Sequence, residues 1–410
     1  MREAPDASAG STAHESGRAR VDEIFLAFLK LGLTSFGGPV AHLGYFRAEF
    51  VARRKWVDDK TYSDLVALCQ LLPGPASSQV GIALGISRGG LRGGLAAWLG
   101  FMLPSALALI AFGYGVAYHG SVSESGLIHG LKVAAVAVVA LAVWGMGKTL
   151  CPDPKRASLA ALSALIALTS PNVTGQITAI FLCGLIGRRT MSDIAASAGA
   201  PHEFGVRKTA AIVAAVAFFG LLIGLPLLAQ SVPSRALALL DSFYRSGALV
   251  FGGGHVVLPL LRAEVVPSGW VTDSLFLAGY GAAQAVPGPL FTFAAYLGTV
   301  MKQPPNGWVG AIVCLVAIFL PSFLLVVSAL PLWQTLRESR GTRAALTGVN
   351  AGVVGLLLAA LYDPVWLAAI KSRADFGLAL ISFILLAFWK VSPIVVVVFA
   401  AVGGWLLRFG

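Results

Sequence analysis

Gln70-Leu71-Leu72-Pro73-Gly74-Pro75 returns 214 residues later as Gln284-Ala285-Val286-Pro287-Gly288-Pro289. Each copy lies in apolar sequence. Pro-Gly-Pro removes two amide donors and adds a residue free to adopt positive φ, so each copy interrupts a helix. At membrane depth such a break survives only where protein or a water-filled cavity satisfies the released backbone groups. Function is therefore to be sought at the breaks.

The surrounding chain is of membrane type. Of its 410 residues 57% are hydrophobic and 12% charged, and the mean hydropathy is +0.80, well outside the range of an ordinary soluble domain. Long blocks of Ala, Leu, Val and Gly without strand-type alternation indicate an all-α integral membrane protein, not a β-barrel. The formal charge of +11 sits in short clusters between apolar blocks, where it records topology and does not signal nucleic-acid binding. Residues 1–21 have no apolar core and read as a disordered cytoplasmic tail. Cys69, Cys151, Cys183 and Cys314 are scattered, so no disulfide framework, metal site or cofactor is expected.

In order, the chain gives a broken block at 24–46 interrupted by Ser35-Phe36-Gly37-Gly38-Pro39, a basic loop, and a second broken block at 62–87 carrying Pro-Gly-Pro. Two uninterrupted blocks (91–118 and 126–148) and two short ones (157–169 and 173–187) complete a first repeat over 22–187. A linker at 188–208 and an extra crossing at 209–229 lead to a second repeat over 236–408. Phe251-Gly252-Gly253-Gly254 matches Phe36-Gly37-Gly38-Pro39, Arg262-Ala263-Glu264 matches Arg47-Ala48-Glu49, and Trp270 matches Trp56. Leu320-Pro321-Ser322 answers Leu103-Pro104-Ser105, and Ser392-Pro393 answers Ser170-Pro171. A unit written twice over this length describes one transport-type architecture.

Charge orients the halves. The loop holding Arg53, Arg54, Lys55 and Lys60 is basic, whereas its counterpart at 267–274 has no Lys or Arg; the loop at 119–125 is not basic, whereas its counterpart carries Arg337, Arg340 and Arg343. Because basic loops stay in the cytoplasm, the repeats are expected to be inverted, with 209–229 turning the second one over. The arms 62–72 and 75–87 are each too short to span, which predicts re-entrant helical hairpins with Pro-Gly-Pro at the tip. The alternative is a kink in a full transmembrane helix.

At a hairpin tip the second arm begins a helix whose first amides and positive dipole end face the gap, the chemistry of an anion site. Pro75, Ser77 and Ser78 fit that first turn, with Thr292 in the matching position. Gly37, Gly38, Gly252 and Gly253 permit close backbone approach to a ligand, although glycines in membrane helices also serve close packing. Gln70 and Gln284, one turn before the tips, are buried-amide candidates along with Pro73, Gly74, Pro287, Gly288 and Pro289. Asn350 and Lys132 rank behind them. Arg47 with Glu49, and Arg262 with Glu264, offer an arginine beside a protonatable carboxylate for coupling, or an interfacial ion pair at a helix end. Lys30 and Arg245 occupy matched places and lend charge to the site or snorkel. Asp64 reads as a helix-start acid, and His42 and His255 as packing histidines.

At the Phe-Gly-Gly, Arg-Ala-Glu and Pro-Gly-Pro motifs and their echoes, the chain resembles the chromate ion transporter family in its long, two-domain form, over roughly residues 22–408. The resemblance implies inner-membrane efflux of chromate driven by the proton gradient, conferring chromate resistance. The second half departs from the first at Gly254 for Pro39 and Phe291 for Ser77, so its tip is less polar and the first half is the preferred main site. Sulfate, of similar charge and shape, is the nearest competing substrate. A membrane enzyme acting on lipid phosphates would also use anion-binding breaks, but no carboxylate pair, nucleophile–base pair or metal cluster accompanies the tips. A passive anion channel would need no coupling acid, and no Walker motif supports ATP drive. The expected partners are chromate or sulfate, protons and the lipid bilayer. A homodimer is the candidate assembly, and the location is the bacterial inner membrane with a cytoplasmic N-terminus.

Overall fold

A computed structural model describes residues 21–36, 38–118, 126–170, 173–191, 206–251, 256–332 and 339–407. The N-terminal tail up to residue 20, most of the 188–208 linker, and Gly37, Gly252, Gly253, Gly254, His255 and Arg337 lie outside them. The described residues are mostly helical, and none of them lies in a strand.

The first half contains α1 (Val21–Thr34), α2 (Gly38–Phe46), α3 (Asp59–Leu71), α4 (Ala76–Tyr118), α5 (Gly126–Leu150), α6 (Pro154–Thr169) and α7 (Val173–Thr190). After α8 (Lys208–Ser231) come α9 (Arg235–Ala248), α10 (Val257–Val265), α11 (Asp273–Ala285), α12 (Phe293–Val300), α13 (Gly307–Ala329), α14 (Arg340–Ala360), α15 (Arg373–Ala387) and α16 (Pro393–Leu406). Matched elements agree in length: 14 residues in α1 and α9, 9 in α2 and α10, 13 in α3 and α11. Five helical stretches are long and apolar enough to cross a bilayer, 76–117, 126–150, 208–231, 307–329 and 340–369. α8 turns Ile212, Val216, Phe219 and Ile223 outward, a surface suited to lipid.

Local chemistry sets the helix ends at the breaks. Asp58 caps α3 by accepting from Thr61 N at 2.7 Å, and Thr272 caps α11 by accepting from Leu275 N. Leu72 and Val286 are extended, as residues before proline must be, and end the two helices. α4 breaks at Gly89 and Gly90, the latter at φ +62°, so its first arm is as short as expected. Pro104 in α4 and Pro321 in α13 occupy matched helix interiors.

Two features depart from the sequence reading. The stretch 47–53, expected to be loop, continues α2 as a π-helical turn closed by Arg54 N donating to Glu49 O at 2.8 Å. After the second Pro-Gly-Pro the chain makes a 3₁₀ turn, Leu290–Thr292, before α12.

The helices pack as two groups. One joins α1, α3, α4, α8, α9, α12 and α13. The other is built by exchange between the halves: α5 packs against α15 and α16, while α14 packs against α6 and α7. Both exchanges rest on glycines, because a Cβ on Gly404 would lie 2.5 Å from the Gly130 backbone, and one on Gly187 would lie 2.6 Å from Gly348 Cα. Small residues at these crossings let the backbones approach closely.

Candidate functional site

The two Pro-Gly-Pro turns each reach across to the other half. Gly74 N donates to Val250 O at 2.6 Å, and Gly288 N donates to Ser35 O at 3.0 Å. The acceptors are matched residues, each immediately before a Phe-Gly-Gly. Both turn glycines have positive φ, +125° and +104°, and neither has space for a side chain: a Cβ would lie 2.5 Å from Ser322 Oγ at Gly74 and 2.9 Å from Ser105 Oγ at Gly288. Those serines belong to the matched Leu-Pro-Ser motifs. Each turn is thus clasped by the broken helix and the proline-containing helix of the opposite half.

Around this crossing lie polar side chains of the first half. His42 is buried; its Nε2 is 3.2 Å from Ser35 O and its Nδ1 3.3 Å from Ser77 Oγ. Since the carbonyl can only accept, Nε2 carries hydrogen, and Nδ1 of the neutral ring accepts from Ser77. Gln79 Nε2 donates to Pro73 O at 2.6 Å and braces the turn. The hydroxyls of Ser35, Ser78 and Ser322, Gln79 Oε1 and Gln284 Nε2 are buried and make no hydrogen bond among the described residues. Unsatisfied buried polar groups are costly, so these atoms are available to a bound water or ligand.

A cavity of about 120 Å³ opens beside the crossing, bordered by Gly38, His42, Gln284, Gly288 and the scaffold helices α5, α15 and α16. A volume near 10–15 Å³ suffices for one water, so a small oxyanion fits. Among the described residues no lysine or arginine lines it.

The expected site residues separate into two sets. Gly38, Gly74, Ser77, Ser78, Gln284 and Gly288, with the prolines that shape the turns (Pro73, Pro75, Pro287 and Pro289), assemble at the crossing. Gln70, expected to be buried, is exposed on α3. Thr292 spends its hydroxyl on Pro289 O at 2.7 Å and offers no donor to the gap. Gly37, Gly252 and Gly253 lie outside the described residues.

The charged candidates form clamps elsewhere. Arg47 does not meet Glu49; it pairs with Asp59 at 2.6 Å, and Arg262 pairs with Asp273 at 2.8 Å. The hydrogen bond from Arg47 holds the exposed Asp59 carboxyl below the usual carboxylate range. Glu49 binds Arg53 and Arg54, and Arg54 reaches Glu23 on α1. Glu264 binds Arg245 at 2.8 Å and accepts from Ser242, both on α9. In the second half the glutamate thus ties the second element directly to the first helix, in the first half Glu49 does so through Arg54, and in both the arginine ties it to the third. Lys30 is exposed. His42, expected as a packing histidine, and Ser35 and Ser322, not among the expected site residues, lie at the crossing; of these only Ser322 carries a sequence signal, the repeated Leu-Pro-Ser motif.

The family model described as "Chromate transporter" matches residues 23–188 and again 237–405. The chain is 30% identical over 401 residues to a chromate transport protein of Pseudomonas aeruginosa, covering 94% of this chain and 92% of that one. It is 28% identical over 416 residues to a chromate transport protein of Cupriavidus metallidurans, covering 98% and 96%. An uncharacterized transporter of Bacillus subtilis is 34% identical over 171 residues, 39% of this chain and 81% of its own length. No solved structure matches.

Proposed function

The chain belongs to the chromate transporter family, and we propose that this multi-pass membrane protein carries chromate through the cavity at its crossed Pro-Gly-Pro turns. The observation that carries this reading is the reciprocal pair of hydrogen bonds, Gly74 to Val250 and Gly288 to Ser35, which brings both breaks to one place beside unpaired buried donors. The relatives covering most of this chain bear the name chromate transport protein.

A dianion in this site is held by hydroxyls, the Gln284 amide and the N-terminal amides of α4, with the positive end of that helix dipole behind them. Neutral donors suit a carrier. A fixed arginine would deepen the site, whereas transport requires binding weak enough for release. Among the described residues of the cavity wall, His42 is the titratable side chain, and its partners Ser77, Ser35 and the Phe101 ring carry no charge. We assign proton coupling to His42 and treat Glu49 and Glu264 as clamps of the broken helices.

The duplicated halves, 22–187 and 236–408, are read as inverted repeats with α3 and α11 as first arms of re-entrant hairpins. Loop charge supports this orientation, placing the N-terminus and residues 47–60 in the cytoplasm of a bacterial inner-membrane protein. Movement is outward and driven by the proton gradient. Inverted membrane vesicles test the reading: chromate accumulates under an imposed pH gradient, accumulation stops when the gradient is collapsed, and excess sulfate reports selectivity by its competition. Absence of chromate uptake contradicts it.

A further inference from the structure

Matched helices of the two halves are held differently. α11 is closed in against the scaffold, packing on α5 and α16, and a Cβ on its Gly281 would lie 2.4 Å from Leu131 O of α5. α3, its counterpart, packs on α4 and the π-helical turn, and has no comparable packing on α7 or α14. Lys60, Ser63, Ala67 and Gln70, spaced three or four residues apart, are all exposed and form one stripe from the basic turn to Pro-Gly-Pro. Three of the four are polar. The lipid-suited face of α8, with Ile212, Val216, Phe219 and Ile223, has the opposite composition. A polar stripe reaching toward membrane depth belongs against water.

The place where α3 would close is also visible. The glycine crossings pair Gly348 of α14 with Gly187, and Gly130 of α5 with Gly404, so Val349 corresponds to Leu131, just as Ala67 corresponds to Gly281. Leu131 is covered by α11. Val349, buried with Gly184 of α7 against it, forms with Ala345 the floor of an open groove of about 380 Å³ between α7 and α14, whose other wall includes Leu249, next to the Val250 carbonyl that receives Gly74. Ala67 is small enough to seat there as Gly281 does against α5.

We propose that the α3 stripe lines the aqueous passage by which the anion reaches the crossed turns, and that α3 shuts this passage by closing on the α7–α14 groove, Ala67 against Val349, as α11 leaves Leu131. This rests on the transporter reading above. Two repeats exchanging conformations about a fixed site is the motion such a fold permits. The structure is then the state open along α3 and closed along α11.

Thiol chemistry tests it on the full chain, with the unsubstituted protein as blank for its native cysteines. Ala67→Cys reacts with a charged, membrane-impermeant maleimide at least about tenfold faster than Leu26→Cys, an exposed apolar position on α1, because the reacting thiolate needs water. In the Ala67→Cys/Val349→Cys double variant, a short bis-maleimide links the two positions during turnover, and the linked protein loses chromate flux. Labelling of Ala67→Cys no faster than Leu26→Cys overturns the passage. A double variant that carries chromate but never links overturns the closure. If the unsubstituted protein carries no chromate, the transporter reading fails on its own, and the labelling contrast still decides whether α3 faces water.

Discussion

The amide of Gly74 donates to the carbonyl of Val250 at 2.6 Å, binding the Pro-Gly-Pro turn of the first half to the residue that precedes Phe-Gly-Gly in the second. Its mirror, Gly288 to Ser35 at 3.0 Å, makes the crossing reciprocal. Neither glycine amide is left for a ligand; the Gln284 amide borders the cavity, and the Ser35, Ser78 and Ser322 hydroxyls beside the crossing make no hydrogen bond among the described residues.

Gly74→Ala combines positive φ with a Cβ 2.5 Å from Ser322 Oγ, whereas Gly38, at φ +79°, has nothing within 4 Å of its Cβ. A non-glycine residue in such a conformation costs about 1–3 kcal/mol before any clash. Thermal unfolding in detergent is expected to show Gly74→Ala destabilised by more than Gly38→Ala, with Gly288→Ala near Gly74→Ala. Equal shifts for Gly38 and Gly74 would remove the steric role of the crossing.

Much of this arrangement was legible in the sequence, and the rest was hidden for identifiable reasons. The repeated Pro-Gly-Pro located the ends of α3 and α11 because proline dictates the conformation of the residue before it. Partners were not legible. Arg47 and Glu49, members of one motif, stand two residues apart on a helical turn and so face different ways; their partners, Asp59 and Arg54, depend on how the chain returns. The exposure of Gln70 against the cavity position of Gln284 follows from unequal packing of two nearly equal hairpins, which no local pattern encodes. The exchange of α6–α7 and α15–α16 between halves is likewise a tertiary choice.

Ser322→Ala and Ser105→Ala separate a ligand donor from a structural hydroxyl. Ser105 already donates to Met102 O at 3.0 Å, while Ser322 makes no hydrogen bond among the described residues. A hydrogen bond to a charged ligand contributes about 1.5–3 kcal/mol. The KM for chromate is therefore expected to rise about tenfold or more in Ser322→Ala, with little loss of stability, and to change much less in Ser105→Ala.

The clamps predict stability effects. Arg245 and Glu264 have side chains 24% and 10% exposed, whereas Arg47 and Asp59 are 62% and 57% exposed. Exposed pairs contribute about 0–1 kcal/mol, and removing one partner of a buried pair costs about 3–5 kcal/mol. Glu264→Gln should lower the unfolding temperature clearly and Asp59→Asn barely; a double-mutant cycle on each pair gives the coupling directly.

His42→Gln retains hydrogen-bonding capacity and removes the titrating group. Chromate flux in this variant is expected to lose its dependence on the imposed pH gradient, while Glu49→Gln, altered in a clamp, keeps that dependence at reduced amount of folded protein. Flux measured against gradient size in proteoliposomes distinguishes the two. The reverse pattern would return the coupling role to Glu49.

The most direct measurement is chromate binding to purified protein by equilibrium dialysis, comparing the unsubstituted chain with Gln284→Leu, which removes an unpaired amide from the cavity wall. The crossed-turn site predicts saturable binding weakened about tenfold or more by the substitution, in protein that unfolds at an unchanged temperature, since one charge-assisted hydrogen bond is lost. Equal affinity in the two proteins would place the anion elsewhere and contradict the account.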